Sequence, residues 1–331
     1  MTGLIPFDIQ TISGDIRTVK ADIIALKYAN GFHGADSVVA KTLGIRDTLF
    51  LKRGEYKILQ APQGQIAAPE VFFLGVGDLA GFRYEQIRKF SYDVLLIISR
   101  ERPNVRSIAM TIHGVHYGLD VREAVFSICA GCIDAASEEF PGTLRSVYSA
   151  ETNERMRLRI ADWILSFREA AQPLEVSLPG DQTTPPPRRL PGRPPSRPGR
   201  PPRPPLDPLP SRKYKDELPQ ASEHLRLEQG VLNANDILKV GVESENKPHI
   251  FVAMPFSDDY LDEWEIGVFE SANAAGFLCE RMDVEVFVGD VLAQIKDRID
   301  SCSLLIAILT GENPNVYLEI GYAWGGKNQQ F

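Results

Sequence analysis

The chain has 331 residues, a net charge of −8 and 44% hydrophobic residues, which is enough apolar material for two or three folded domains. No apolar run approaches the roughly 20 residues of a membrane span, and the N-terminus lacks signal-peptide features, so we expect a cytoplasmic protein. Four scattered cysteines exclude a disulfide framework.

Alternating strand and helix patterns fill residues 1–172. Apolar runs predict strands at residues 7–13, 21–26, 71–77 and 106–112. Helical periodicity predicts helices at about residues 35–43, from about residue 121, and at residues 154–170. This alternation indicates a three-layer α/β domain with a mostly parallel sheet. Glycines at its strand ends would let backbone N–H groups approach a phosphate closely.

Several segments of this domain occur in an order typical of macro domains, namely GDI, GFHGADSVVAKTLG, VFFLGVGD and IHGVHYGLDVREA. The region resembles the macro domain, including the macro-like N-terminal domain of leucyl aminopeptidases. The resemblance implies binding of ADP-ribose or a related nucleotide. It implies that Asp15 contacts the adenine, that Gly31, Gly34 and Ala35 contact the near phosphate, and that His113, Gly114, Val115 and Gly118 contact the distal phosphate.

Residues 25–28 read Ala-Leu-Lys-Tyr, where hydrolytic macro domains carry an asparagine-rich motif, so we expect binding without hydrolysis of ADP-ribose. The metal-binding half of leucyl aminopeptidases has no counterpart in the sequence, which argues against peptidase activity. An alternative is an interaction module with an empty cleft, in which His113 and His116 are ordinary loop histidines.

Cys129 and Cys132 form a C-x-x-C pattern inside a helical stretch. Such a pair can carry redox chemistry or supply half a zinc site, but the sequence offers no second ligand pair. We interpret both cysteines as small buried residues of a helix–sheet contact and predict no metal site.

Residues 173–212 form a Pro/Arg-rich linker, which we expect to be disordered and to favour extended polyproline II. Its seven arginines exceed its three acidic residues by four, which leaves a net charge of −12 on the rest of the chain. Folded regions this acidic argue against nucleic acid as a partner. The linker could instead contact anionic surfaces or proline-binding modules, which would make the protein an adaptor. Residues 213–246 form a connector.

The C-terminal region, residues 247–331, repeats the strand–helix alternation. Strands are predicted at residues 249–254, 276–280 and 304–309, and the last is expected to be buried on both faces. Helices are predicted at residues 260–275 and 288–302, and a third follows the N-cap Asn313 and Pro314. In a parallel sheet the loops after the strands share one edge. Polar residues should converge there: Asp258, Asp259, Arg281, Asp283, Asn313, Asn315 and Glu319.

The segments FVAMPF, ERMD and ILTGENPNVYLEIGYAWG resemble the nucleoside 2-deoxyribosyltransferase-like group, whose members are relatives of TIR domains. The resemblance implies a flavodoxin-like or TIR-like fold and cleavage of the N-glycosidic bond of NAD or a nucleoside. It places the nucleophile on Glu319, with Asp283 and Asp258 as further catalytic candidates. The remaining predicted ligand-binding residues are Asn313, Asn315, Arg281 and Asp259.

Ser303 and Ile308 stand where relatives carry aspartate, so two acids are missing from the expected pocket. The chain stops at Phe331, where a fourth strand is expected. Three strands alone would leave a sheet edge uncovered, which predicts a homo-oligomer, a partner chain that completes this region, or a truncated product.

The sequence therefore predicts two α/β domains that handle nucleotides, with NAD or a nucleoside as substrate or ligand, no resident cofactor and no membrane or nucleic-acid partner. The pairing of a nucleotide-binding domain with a TIR-like domain suggests bacterial anti-phage defence. The alternative is a non-catalytic nucleotide sensor or scaffold with a degenerate C-terminal domain.

Overall fold

The N-terminal region is built around a six-stranded sheet. A computed structural model of the chain describes residues 6–79, 81–113, 118–138, 143–171, 233–255, 257–281 and 291–326. The strands of this first sheet are β1 (Asp8–Ser13), β2 (Ile23–Tyr28), β3 (Tyr56–Gln60), β4 (Glu70–Gly75), β5 (Ser107–Thr111) and β6 (Ser146–Glu151). They are arranged in the order β1-β6-β5-β2-β4-β3, and among these pairs only β3 and β4 run antiparallel.

Helices cover both faces of this sheet, as the predicted three-layer architecture requires. They are α1 (Gly34–Thr42), α2 (Tyr84–Glu101), α3 (Val121–Ser137) and α4 (Glu154–Ala171). Successive residues of β2 alternate between two cores: Ile23 and Ala25 face α2, α3 and α4, whereas Ile24 and Leu26 face α1. The mostly parallel α/β fold is thus confirmed, although β3, β6 and α2 had no counterpart among the predicted elements.

The connections of the first sheet diverge at β2 and β5, which are neighbouring parallel strands. After β2 the chain passes through α1 toward β3 and β4, and after β5 it passes through α3 to β6 on the other side. Connections that leave in opposite directions open a crevice at the carboxyl ends of the two strands. This crevice is the natural ligand position of the fold.

The C-terminal region holds a second sheet, with three parallel strands in the order β8-β7-β9. Its strands are β7 (His249–Ala253), β8 (Leu278–Glu280) and β9 (Leu304–Ala307). The described helices are α5 (Ala234–Lys239), α6 (Glu270–Ala274) after a π-helical segment (Glu263–Phe269), α7 (Val291–Ser301) and α8 (Pro314–Gly325). All three predicted strands and the parallel pairing are confirmed.

Both faces of β7 are covered. Ile250 and Val252 pack toward the π-helical segment and α6, and Phe251 and Ala253 pack toward α7 and α8. The prediction that the last strand is buried on both faces was wrong, because Leu304 of β9 is 50% exposed. Within the described residues β9 pairs only with β7 and therefore forms an edge of the sheet.

The two sheets belong to one compact unit. Val121 at the start of α3 and Trp163 of α4 pack into the core on the π-helical side of the second sheet. The rings of Trp163 and Phe269 lie 5.7 Å apart. In the described parts of the chain, no helix is both long and apolar enough to cross a membrane.

Candidate functional site

The loop after β2 brings an uncapped helix N-terminus to the crevice. Asn30, Gly31 and Gly34 all have positive φ angles, of 50°, 157° and 51°, so the chain turns sharply into α1. His33 occupies the N-cap position but makes no side-chain cap hydrogen bond. Within the described residues the backbone N–H groups of Gly34 and Ala35 donate no hydrogen bond. They are therefore free to bind an anion, which the helix dipole also favours.

Lys27, at the carboxyl end of β2, places a buried cation beneath this loop. Its side chain is only 5% exposed, and Nζ donates a 2.6 Å hydrogen bond to Oδ2 of Asp36 in the first turn of α1. The same Nζ lies 3.5 Å from Nδ1 of His113, which follows β5, and 5.9 Å from the centre of the Phe82 ring. Lys27 thus bridges the loops that follow β2 and β5.

His113 is buried and packs edge-to-face on two phenylalanines, with ring-centre distances of 5.7 Å to Phe82 and 4.6 Å to Phe90. Burial, with a contribution from the charge of Lys27, holds the pKa of His113 well below its usual value. The imidazole is therefore neutral at physiological pH. Its Nε2 has no hydrogen-bond partner within the described residues.

Asp36 balances the charge of Lys27. Burial raises the pKa of Asp36, whereas the Lys27 ammonium opposes that rise. Its Oδ1 is buried and, like Nε2 of His113, has no hydrogen-bond partner within the described residues. Buried polar atoms without partners are rare in folded proteins, so these two atoms mark the crevice as a place where a ligand group or water could be bound.

The other predicted nucleotide-binding residues follow β1, precede α3 or lie outside the described residues. Asp15 caps a one-turn 3-10 helix, and its carboxylate accepts hydrogen bonds from the backbone N–H and the guanidinium of Arg17. The Arg17 guanidinium lowers the pKa of Asp15. Gly118 has a φ angle of 82° and lies two residues before the N-cap of α3. Gly114 and Val115, together with His116, lie outside the described residues.

Sequence reasoning did not single out Lys27 or Asp36. One signal was available, because a lysine directly follows the buried apolar run 23–26 on β2. A lysine on a strand that is buried on both faces requires a partner. The candidate partner, Asp36, sits in the first helical turn after the glycine loop.

In the second region, Glu319 is half-buried on α8, the helix that follows β9. Burial raises the pKa of Glu319 to about 7. Its carboxyl group makes no hydrogen bond or ion pair with any other described residue. An acid of this kind can hold or release a proton near neutral pH.

The predicted neighbours of Glu319 are engaged elsewhere or not described. Asn313 caps α8, and its Oδ1 accepts a 2.9 Å hydrogen bond from the backbone N–H of Asn315. Asp259 accepts a hydrogen bond from Ser257 Oγ. The Arg281 guanidinium lies 4.9 Å from the centre of the Trp264 ring. Asp258 lies on the one-turn 3-10 helix Asp258–Tyr260, and Asp283 lies outside the described residues.

Sequence reasoning also missed a buried polar network between the two regions, which consists of Tyr84, Asp120, Asn273, Glu280 and Arg298. Asp120 is fully buried, and its Oδ2 accepts hydrogen bonds from the backbone N–H of Cys279 (2.8 Å) and from Asn273 (3.1 Å). The Tyr84 hydroxyl donates to Glu280 at 3.0 Å. Glu280 also forms a 3.0 Å ion pair with Arg298.

Two clefts of the described residues are lined by residues other than Lys27, Asp36 and His113. One, of about 440 Å³, lies among Asn104, Arg106, Thr143 and Arg145 at the opposite edge of the first sheet. The other, of about 630 Å³, lies between the two regions and is lined by groups of both charges, including Arg83, Glu245 and Lys247. We favour the crevice at β2 and β5 because unpartnered polar groups converge there.

No protein-family model matches the sequence, and neither does any curated protein. The N-terminal region resembles solved macrodomains. The Trypanosoma brucei macrodomain in complex with ADP is 19% identical, with 47% of this chain and 68% of that chain covered and a TM-score of 0.40. Its complex with ADP-ribose gives 19% identity, the same coverage and a TM-score of 0.39. The Oceanobacillus iheyensis macrodomain with ADP is 19% identical, with coverage of 50% and 95% and a TM-score of 0.39.

Proposed function

We propose that the N-terminal region binds an ADP-ribose-type nucleotide in the crevice between β2 and β5. The observation that carries this proposal is the pair of backbone N–H groups of Gly34 and Ala35, which have no partner among the described residues. They lie at the start of α1, at the point where the connections of the sheet diverge. An anionic phosphate is the group that such a site accepts best.

The proposed function is binding without hydrolysis of ADP-ribose. A hydrolytic site requires a base that is free to take a proton from water. In this crevice the charge of Asp36 is already neutralised by Lys27 at 2.6 Å. His113 is neutral and enclosed by Phe82 and Phe90. Neither Asp36 nor His113 is therefore a base that is free to take a proton from water.

The test is isothermal titration of the full chain with ADP-ribose, ADP and adenosine. If the phosphate binds the N-terminus of α1, we expect a methyl group on Gly34, the first residue of this helix, to obstruct it. Gly34→Ala should therefore weaken ADP-ribose binding about 10-fold or more, a loss of about 1.4 kcal/mol.

Gly44→Ala is the matched control, because Gly44 ends the same helix with a similar positive φ of 66° and has open space around its Cα. It carries the same backbone strain without touching the crevice, so its affinity should stay at the wild-type level. Equal weakening by both substitutions would contradict the location of the site. No heat with any of the three nucleotides would contradict the function itself.

A second function is favoured by Glu319, namely cleavage of the N-glycosidic bond of NAD or a nucleoside. Its carboxyl group has no partner among the described residues, and its pKa of about 7 leaves it partly ionised at neutral pH. In the proposed step the ionised carboxylate attacks the anomeric carbon, and the base departs with the bonding electron pair. Water then releases the sugar from Glu319. A role in anti-phage defence rests on this second function.

Turnover of NAD and of deoxynucleosides by the purified chain tests this proposal. Glu319→Gln should abolish turnover, whereas Glu263→Gln, at an exposed position of the π-helical segment, should leave it unchanged. Because the attack needs the ionised form, the wild-type rate should rise with pH and level off above about 7. Activity that survives Glu319→Gln would remove this mechanism. No turnover, together with retained ADP-ribose binding, would favour the non-catalytic sensor.

A further inference from the structure

We propose that Asp120 and Tyr84 couple ligand binding in the β2/β5 crevice to the C-terminal region, through the first residues of α3 and strand β8. This inference rests on the proposed nucleotide-binding function and adds its regulation. The two residues lie in the N-terminal region, and the groups that they bind in the C-terminal region are on or beside β8.

Asp120 holds both regions with one carboxylate. Oδ1 accepts a 2.9 Å hydrogen bond from the backbone N–H of Glu123 and thereby caps α3. Oδ2 accepts hydrogen bonds from the backbone N–H of Cys279 and from the side chain of Asn273, both in the C-terminal region. Because the carboxylate is fully buried, each lost hydrogen bond would leave a buried group unsatisfied.

Tyr84 provides a second connection to the same residue. Its buried hydroxyl accepts a 2.8 Å hydrogen bond from the backbone N–H of Asp120 and donates one of 3.0 Å to Glu280. Glu280 is held in addition by Arg298 at 3.0 Å and by Arg83 at 3.3 Å. A shift of Asp120 would therefore disturb β8 both at the Cys279 N–H and at the Glu280 carboxylate.

Asp120 lies only seven residues after His113, which is part of the crevice, and two after Gly118, a predicted contact of the distal phosphate. His113 also packs on Phe82 and Phe90, which flank Tyr84 along the chain, so a ligand that contacts His113 would act on the helix that carries Tyr84. On the other side, β8 ends at Glu280, and the next residue is Arg281 at the carboxyl edge of the second sheet. One short chain of hydrogen bonds thus links the two carboxyl edges. Such a link makes the two sites thermodynamically dependent on each other.

Hydrogen exchange of the full chain, measured by mass spectrometry with and without ADP-ribose, tests this coupling. ADP-ribose should slow amide exchange in the crevice loop around residues 31–36. It should also slow exchange in Leu278–Glu280 by about 5-fold or more, the lower end of typical coupling between sites. In Tyr84→Phe, which keeps the hydrogen bond between the Cys279 N–H and Asp120, the slowing at Leu278–Glu280 should be clearly smaller, whereas the slowing at residues 31–36 should persist.

Tyr92→Phe is the matched control, because Tyr92 lies on the same helix α2 and its hydroxyl donates only to the exposed Glu138. It should behave like the wild type. Asn273→Ala removes one donor to Asp120 from the C-terminal side and should repeat the effect of Tyr84→Phe if that variant folds poorly. Slowing at residues 31–36 without any change at Leu278–Glu280 would overturn the coupling but retain the binding function. No slowing at either segment would overturn both.

Discussion

Asp36 at the first sheet and Glu319 at the second are both carboxyl groups near the carboxyl edge of a parallel sheet, and burial raises the pKa of each. Their surroundings differ in one respect. Asp36 receives the ammonium group of Lys27 at 2.6 Å, whereas Glu319 receives no cation from any described residue. The first edge contains a neutralised ion pair, and the second contains a single acid.

This difference suits the first edge to ligand binding and the second edge to catalysis. A buried carboxylate that is paired with a cation is held in one ionisation state and contributes to the shape and polarity of a site. A carboxyl group that is buried without a partner exchanges its proton near neutral pH and is suited to proton transfer or nucleophilic attack. The comparison therefore predicts that substitutions at the first edge change the free energy of unfolding and the ligand affinity. Substitutions at the second edge should change how stability and turnover depend on pH.

The largest expected effect comes from breaking the ion pair of the first edge. Lys27→Met leaves the carboxylate of Asp36 buried without its cation, which should lower the free energy of unfolding by about 3–5 kcal/mol. The double variant Lys27→Met/Asp36→Ala removes both charges and should lose less than half as much. Urea titration of both variants and the wild type measures this difference.

Lys57→Met provides the control, because Lys57 is exposed on the edge strand β3. It should change the free energy of unfolding by no more than about 0.5 kcal/mol. Equal losses in Lys27→Met and the double variant would show that the lysine stem, and not its charge, stabilises the crevice. The contrast between the two edges would then lose its electrostatic basis.

Local sequence rules predicted most elements that carry strong patterns. The parallel strands of the second sheet and the helix that begins at Pro314 with Asn313 as its cap were all readable from apolar runs and capping residues. The rules failed at α2 (Tyr84–Glu101), which has 18 residues and is as long as α4. These are the two longest described helices of the first region. Its N-cap is an arginine, which no capping preference would select.

The sequence predicted which loops carry the candidate sites, but not the side-chain contacts within them. Glycine spacing indicated the loop at Gly31 and Gly34, because tight turns and phosphate contacts both need small residues. The contact between Lys27 and Asp36 depends on how α1 packs over the end of β2, and the network at Asp120 depends on how two regions pack together. Such contacts between distant residues follow from three-dimensional packing and leave no periodic signal in one sequence.

An intermediate effect is expected at the unpaired acid of the second edge. The pKa of Glu319 in the folded chain is about 7, above the ordinary value of 4.5. The folded state therefore holds its proton more tightly, and its stability falls as pH rises from about 4.5 to about 7. Glu319→Gln stays neutral and should be more stable than the wild type above pH 7. The difference between 4.5 and about 7 corresponds to about 3.4 kcal/mol, at about 1.4 kcal/mol per pH unit. We expect a smaller gain of about 1–2 kcal/mol, because the side chain is only half-buried and water screens its charge.

Urea titrations of Glu319→Gln and the wild type at about pH 5 and pH 8 measure this gain, which should be much smaller at the lower pH, where both side chains are largely neutral. Glu263→Gln, at an exposed position, controls for the change of side chain and should show no comparable difference between the two conditions. An equal gain at both pH values would mean that Glu319 is ionised throughout this range, and that the second edge resembles the first.

The smallest effect is expected from an ion pair that matches the first edge in distance but not in burial. Lys89 Nζ and Asp93 Oδ1 lie 2.8 Å apart on α2, and the lysine side chain is 60% exposed. Lys89→Ala should change the free energy of unfolding by at most about 0.5 kcal/mol, because water screens the pair and alanine is a good helix former. Urea titrations should show nearly the same small effect of Lys89→Ala at low ionic strength and at about 1 M salt, because the attraction that salt could screen is already weak. A loss near that of Lys27→Met would show that the distance between the charges, and not their removal from water, sets the strength of the Lys27–Asp36 pair.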